Sequence, residues 1–157
     1  MASPVGKRLK DKKISEVVNP RLIQALPSIT VKGAVDLMRE NKSAYIVVAD
    51  GKRVVGMFTE SDVIGKILGK DVDWNRPVRD FMTPTPLVLR PDDTVGRAVS
   101  LMADNDVYTI PLVSEAQELT GVLSVRTLIR FLAEFYPGDV YNLPPNPHQI
   151  APTQEGG

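Results

Sequence analysis

The sequence predicts an α+β fold in which one strand–helix–strand–strand–helix unit is used twice. Three observations carry this. Residues 27–46 recur 64 positions later, with Pro27, Thr30, Val31, Ala34, Val35, Leu37, Met38, Asn41 and Ile46 matching Pro91, Thr94, Val95, Ala98, Val99, Leu101, Met102, Asn105 and Ile110. That is 9 identities in 20 positions without a gap, and Pro20 and Pro84 extend the register upstream. Second, both copies carry apolar residues at helical spacing. Third, a pair of β-rich runs follows each helical stretch. A repeat of this period means one structural unit used twice, and two units packed together create clefts of the kind that bind ligands.

Residues 1–13 read as a polar N-terminal arm. The first unit runs over 14–68. Val31, Ala34, Val35 and Met38 sit at i, i+3, i+4 and i+7, the stripe of an amphipathic helix. Residues 44–49 and 54–58 are β-rich and flank Asp50-Gly51, a hairpin signal because both residues tolerate positive φ. Val63, Ile64, Ile67 and Leu68 give a second helical stripe, with Gly69 as its C-cap. Residues 69–77 form a polar connector. The second unit, 78–136, repeats the order: a short strand at 87–89, a helix through Val95, Ala98, Val99 and Met102, strands at 107–113 and 119–123 joined by a longer loop, and a last helix beginning at Leu128, Ile129 and Leu132. Residues 137–157 concentrate proline, which removes backbone donors and blocks regular helix, so this tail is expected to be extended or disordered.

Bulk properties exclude several functions. The 157 residues carry 43% hydrophobic and 24% charged side chains, an ordinary globular composition. Lys plus Arg and Asp plus Glu both total 19, so no general field draws nucleic acid or an acidic membrane. The local exception, Lys7-Arg8-Leu9-Lys10-Asp11-Lys12-Lys13, has no aromatic platform within it and reads as a solvated arm. Absent cysteine removes disulfides, thiolate metal sites and a cysteine nucleophile. No apolar run reaches the roughly 18 residues of a membrane span, and no apolar signal core opens the chain. The expectation is a cytoplasmic protein. His148, the one histidine, lies in the proline-rich tail without ligand partners, so no metal site and no nucleophile–base set is expected. Trp74 reads as a packing anchor in the connector, Met38 and Met102 as core, and Asp92-Asp93 as a helix start.

The informative motif closes each hairpin. Gly56-Met57-Phe58-Thr59-Glu60-Ser61-Asp62 answers Gly121-Val122-Leu123-Ser124-Val125-Arg126-Thr127. In both, a hydroxyl residue stands where strand becomes helix. Thr-x-x-Asp is also a capping box, and capping alone would explain it at about 1 kcal/mol. The same place can receive a phosphate on free N–H groups, and a carboxylate one turn in can accept both hydroxyls of a ribose.

The duplication, Met82-Thr83-Pro84 ahead of the second unit, and the Gly-x-x-Thr-x-x-Asp ending together resemble the CBS domain family, regulatory modules named after cystathionine β-synthase. The resemblance covers about residues 14–135. It implies a tandem CBS pair with pseudo-two-fold symmetry, often associating into disc-like homodimers, whose clefts hold AMP, ADP, ATP or S-adenosylmethionine. Carried over by position, Thr59 would meet the phosphate and Asp62 the ribose. Met57 would line an apolar floor, and the base would lie against Leu87 and Val88 with Val107 and Tyr108 nearby. In the second cleft Thr127 replaces the ribose-binding Asp. Ser124 and Arg126 remain to meet a phosphate, and this site is expected to be empty or weak. The family's basic residues of the second strand are missing from 43–45 and 107–109, so phosphate charge would need Arg53, Lys66, Arg126 or a partner chain. The leading expectation is a non-catalytic regulatory module for an adenosine-containing ligand, with no bound cofactor. The alternative is a ligand-free dimerisation or protein-interaction scaffold. Nucleic-acid binding through the basic arm is a third possibility, and an unidentified protein partner remains open.

Overall fold

A computed structural model describes residues 9–18, 21–84 and 87–135. The tail, His148 and the first part of the basic arm lie outside the described residues. In the first half, β1 (Gln24–Ala25) leads to α1 (Val31–Asn41), β2 (Tyr45–Asp50), β3 (Arg53–Thr59) and α2 (Glu60–Asp62, widening into a π turn over Val63–Ile67). In the second, β4 (Thr83–Pro84) precedes α3 (Val95–Asn105), β5 (Thr109–Val113), β6 (Leu119–Ser124) and α4 (Val125–Phe135). Single 3₁₀ turns at Ile14–Glu16 and Val78–Asp80 introduce the halves. Among the described residues no helix is long and apolar enough to cross a membrane.

Most of the repeated identities have a structural duty; Val99, the counterpart of Val35, is exposed. Thr30 and Thr94 are N-caps, accepting from Gly33 N at 3.0 Å and Arg97 N at 3.2 Å. Val31, Ala34 and Met38 bury one face of α1, and Val95, Ala98 and Met102 bury the same face of α3. Asn41 and Asn105 donate their side-chain amides back to the carbonyls of Leu37 and Leu101 at 2.8 and 2.9 Å, which fixes these side chains against the last turn of each helix. Both helices then stop at a left-handed residue, Lys42 (φ 51°) and Asp106 (φ 54°).

Pro27 and Pro91 show how the halves are joined. Arg79 N donates to Pro27 O at 3.2 Å, and Ser15 N donates to Pro91 O at 3.0 Å. Val78 N likewise reaches Ile29 O at 2.7 Å, as Ile14 N reaches Asp93 O at 2.9 Å. Val31 N is held by Arg76 O and Val95 N by Lys12 O, both at 2.9 Å. Each half thus receives its opening segment from the other half's sequence. The cores follow the same exchange. Ile14 and Val17 pack with Leu89, Val95, Ile110 and Leu123, while Val78 and Phe81 pack with Val31, Ile46, Phe58 and Ile67. Residues 9–13 accordingly do not form a free arm: Leu9 is buried in the second core and Lys13 pairs with Asp92 at 3.8 Å.

β2 pairs parallel with β1 and antiparallel with β3, and β4 adds antiparallel to β3, giving the order β1-β2-β3-β4. The second sheet is the β5–β6 hairpin. Its expected strand at 87–89 is reduced to one parallel bridge, Leu89 with Leu112. The cause is Pro111. In the first half Val47 N donates to Ile23 O at 2.9 Å. Pro111 stands at the equivalent place and has no N–H to give, so the ladder shortens. The sheets meet through Val47 and Met57 on one side and Val122 and Leu119 on the other.

Glycine matters most at Gly56, where β4 crosses closely. A Cβ there would lie 2.6 Å from Met82 Sδ and 2.9 Å from the Thr83 carbonyl oxygen. Gly121, in the same place on β6, has its nearest neighbour at 3.6 Å. Gly56→Ala is expected to destabilise by about 1–3 kcal/mol through overpacking. Gly121→Ala should stay within about 1 kcal/mol of the parent. Denaturant unfolding of the two variants checks the contrast.

Candidate functional site

Two clefts open between the halves, related by the same exchange that builds the fold. The first, about 440 Å³, lies at the β3–α2 junction. It brings together Met57, Thr59, Leu87, Val107 and Tyr108 of the sequence-predicted set, with Ala44, Thr83 and Pro111. Its charged lining residues are Glu60 and Asp106. Val88 does not line it and is exposed.

Asp62 does not line this cleft either. It is the one buried charged residue described, and its carboxylate is already engaged on both oxygens. Oδ2 accepts from Thr59 N at 3.0 Å and from the Thr59 hydroxyl at 3.3 Å. Oδ1 accepts from the Thr83 hydroxyl at 2.9 Å and pairs with Lys66 Nζ at 2.8 Å. Lys66 also donates to Phe81 O at 2.8 Å. The capping residue is therefore also a latch: it ties α2 to β4, the strand that arrives from the second repeat. Lys66 is committed to this latch, and Arg53 sits at the far end of β3, bridged to Glu118. Neither of these two expected phosphate partners reaches the first cleft.

The second cleft, about 220 Å³, lies at the β6–α4 junction. Ser124, Arg126 and Thr127 line it as the sequence predicts. Thr127 N donates to Ser124 Oγ at 3.3 Å and the two hydroxyls lie 3.1 Å apart. Sequence reasoning missed three further cations, Arg21, Lys42 and Arg130. Signals for two were present. Arg130 stands one turn after Arg126, hence on the same helix face. Lys42 directly precedes the 43–45 stretch, where the family's basic residues are expected. Arg21 had no local signal; it enters because the segment before β1 runs along the cleft, where it also donates to the Asn41 carbonyl.

Two tyrosines mark the walls. Tyr108 lines both clefts, and its hydroxyl donates to Asp106 Oδ1 at 2.7 Å. That hydrogen bond, reinforced by the Asp106 charge, raises its pKa above the usual 10.0. Burial raises the Tyr45 pKa from the same value, offset in part by the Arg21 charge. Both phenols are therefore protonated donors at neutral pH. Among the described residues no group of His, Asp and Glu is placed to hold a metal ion.

This geometry has a family. The CBS domain model matches residues 14–69 and 78–134. The chain belongs to the CBS domain family. A 17.7 kDa uncharacterised protein of Acidianus ambivalens is 29% identical over 125 residues, covering 79% of this chain and 75% of that one. The chain also matches inosine-5′-monophosphate dehydrogenases, spanning 23% of the length of the one from Korarchaeum cryptofilum. Among solved structures, a CBS domain protein of Pyrobaculum aerophilum complexed with AMP superposes with a TM-score of 0.70 at 22% identity, covering 74% of this chain and 90% of that one. The CBS domain pair of protein MJ0100, in complex with 5′-methylthioadenosine and S-adenosylmethionine, superposes with a TM-score of 0.70 at 15% identity, covering 77% and 99%. These two likenesses establish the shared tandem CBS fold.

Two outcomes follow from the site. Asp62→Ala leaves Thr59 N and the Thr83 hydroxyl without their acceptor and removes the ion-pair partner of Lys66. It should cost about 1–3 kcal/mol in chemical denaturation, the lower end reflecting the half-exposed Lys66. For Tyr45, the raised pKa means that the unfolded chain loses its proton first as pH rises. Between the unfolded and folded pKa values the native state holds more protons, so its stability falls with rising pH above about 10. Tyr45→Phe should flatten that fall in pH-dependent melting.

Proposed function

We propose that this CBS pair is a non-catalytic, cytoplasmic regulatory module that binds an adenosine-containing small molecule between its repeats. One observation carries the reading: two clefts related by the repeat, each bordered by a strand–helix hydroxyl (Thr59 or Ser124) and sharing the aromatic wall of Tyr108. A nucleoside needs a flat apolar wall for its base and directed polar groups for its sugar. Met57, Leu87, Val107 and Tyr108 supply the former in the first cleft, and Thr59 and Thr83 the latter. The ligands held by the AMP-bound and 5′-methylthioadenosine-bound relatives support the chemical class. In this reading Asp62 holds the junction in shape, and a direct ribose contact requires the ligand to displace Thr83 or Lys66 from its carboxylate. The dehydrogenases match over less than a quarter of their length, which supports a regulatory segment rather than a catalytic one.

Calorimetric titration with AMP, ATP, 5′-methylthioadenosine and S-adenosylmethionine tests this. Saturable binding of at least one is expected. Tyr108→Ala should weaken it about tenfold, the effect of losing one well-packed aromatic wall. No heat and no melting shift with any of the four would reject the reading.

A second reading, the homodimeric scaffold, is favoured by apolar surface. Ile64 and Leu68 on the α2 side, with Val99 and Ile129 on α3 and α4, are exposed. Ile64 and Ile129 occupy equivalent places in the two repeats, so the face is matched to a second copy of itself. Sedimentation should show a dimer that Ile64→Glu with Ile129→Glu converts to monomer. A dimer that binds none of the four ligands would leave this reading in place of the first.

A further inference from the structure

We propose that the two clefts divide ligands by charge: the second takes the phosphorylated adenosine compound and the first takes an uncharged or cationic one. The assignment rests on the adenosine reading for the ligand class, and on charge alone for the division.

The clefts share a backbone frame, so equivalent positions can be compared directly. Asp106 on the rim of the first corresponds to Lys42 on the second, and Ser61 corresponds to Arg126. With Arg21 and Arg130 added, the second cleft is lined by four cations and no carboxylate. The first is lined by Glu60 and Asp106 and no cation. Cations converging on one cleft strengthen each other's attraction for an anion, because the low-dielectric wall screens them less than water does.

The place where a phosphate would sit differs in the same direction. In the first cleft the junction N–H of Thr59 already donates to a carboxylate of the protein, Asp62, at 3.0 Å. An incoming anion would meet that charge as well as Glu60 and Asp106. In the second cleft Thr127 replaces the carboxylate, and the start of α4 carries only hydroxyls, Ser124 and Thr127, in a lining that also includes Arg126 and Arg130. The substitution that deprives this cleft of a ribose acceptor also removes the charge that would repel a phosphate. Among the described residues no carboxylate forms an ion pair with Lys42, Arg126 or Arg130, so the charge of these three is not neutralised by direct pairing.

Lys42 and Asp106 both close their helices with left-handed φ, so they hold equivalent places in the two repeats. At these two places the chain carries opposite charges, one on each rim. The volumes agree as well. The first cleft, about 440 Å³, falls in the usual range for ligand pockets, while the second, about 220 Å³, offers half that space, which suits a smaller, charge-held part of a ligand.

The test uses the full chain with 5′-methylthioadenosine, ATP and inorganic tripolyphosphate in calorimetry at two salt concentrations. ATP and tripolyphosphate should bind with affinity that falls steeply as salt rises, and 5′-methylthioadenosine with little salt dependence. Arg126→Ser and, separately, Arg130→Gln should weaken ATP and tripolyphosphate about tenfold each, the scale of one charge-assisted contact, and leave 5′-methylthioadenosine unchanged. Ser61→Arg with Asp106→Lys should let a second equivalent of ATP bind. Competition of ATP with 5′-methylthioadenosine for one site overturns the division, as does an equal loss of both in Arg126→Ser, or tripolyphosphate failing to bind. Arg126-dependent binding of tripolyphosphate, with neither nucleoside binding any better, rejects the adenosine reading while the anion assignment of the second cleft stands. No binding of any probe overturns both.

Discussion

The structure depends on an exchange of backbone hydrogen bonds between its halves. The segment before each repeat fastens to the opposite one, and the donors and acceptors match residue for residue at an offset of 64: Ile14 to Asp93 as Val78 to Ile29, and Val95 to Lys12 as Val31 to Arg76. These groups are the open ends of helices α1 and α3 and of the turns that precede them. A buried N–H without a partner costs as much as a lost hydrogen bond, so neither half satisfies its own backbone alone. The apolar side chains follow the same logic. Ile14 and Val78 are fully buried, each in the core of the other repeat. Burial of such side chains is worth about 1.5–3 kcal/mol apiece, so separating the halves would forfeit both the bonds and the burial. The clefts are consequences of this clasp, since their opposing walls come from halves that cannot part.

A shared frame makes differences between the clefts easy to interpret. The strand–helix junctions superpose in role: each puts a hydroxyl at the turn and a helix start behind it. What the chain varies is charge. Asp62 fills its junction with a carboxylate held by Thr59, Thr83 and Lys66, which ties α2 to β4 and gives the first half a four-stranded sheet. Thr127 makes only a local hydroxyl contact with Ser124. The first junction is therefore structurally committed, and the second is left with cations facing an opening. Stability and anion recognition compete for the same helix start, and in the proposed division they fall to different copies of one motif.

Much of this was legible in the sequence because repetition amplifies weak signals. Thr30 and Thr94, Asn41 and Asn105, and the valine–alanine–methionine stripes are caps and core positions whose reasons are local, so spacing alone exposes them. Membership of the tandem CBS fold followed from the same residues. What spacing did not reveal was non-local. The apolar content of Leu9 and Ile14 belongs to the second core, yet in sequence these residues sit beside a lysine-rich run. The loss of the strand at 87–89 follows from a proline on a different strand, Pro111, whose missing N–H matters only once the two are neighbours. Asp62 was visible as a cap and as a ribose acceptor. Its partners Thr83 and Lys66 lie respectively 21 residues away and one turn on, and only folding brings both onto its carboxylate. The cations of the second cleft come from three separate segments, before β1, after α1 and along α4. Lys42 lies a single residue outside the second-strand stretch where the family's basic residues stand.

The shared wall between the clefts bears on how such a module could signal. Ala44, Tyr108 and Thr109 line both openings, so the clefts are neighbours and not isolated sites. Tyr108 is exposed and anchored at its hydroxyl by Asp106, on the rim of the first cleft. A ligand in the first cleft that packed on the ring or engaged Asp106 would change the wall of the second. A phosphate drawn toward Lys42 and Arg126 would act on the same ring from the other side. Any free energy by which one ligand alters the affinity of the other must be equal in both directions. Regulation needs that energy to differ between two shapes of the molecule. The natural element to carry the difference is the Asp62 latch. It is the polar contact that joins α2 to the incoming strand of the opposite repeat, and it borders the cleft without opening into it. A ligand that competes for the Thr83 hydroxyl would loosen α2. The exposed Ile64 and Leu68 lie on the α2 side of the molecule, so under the proposed reading a loosened α2 would alter the surface where a second copy would dock.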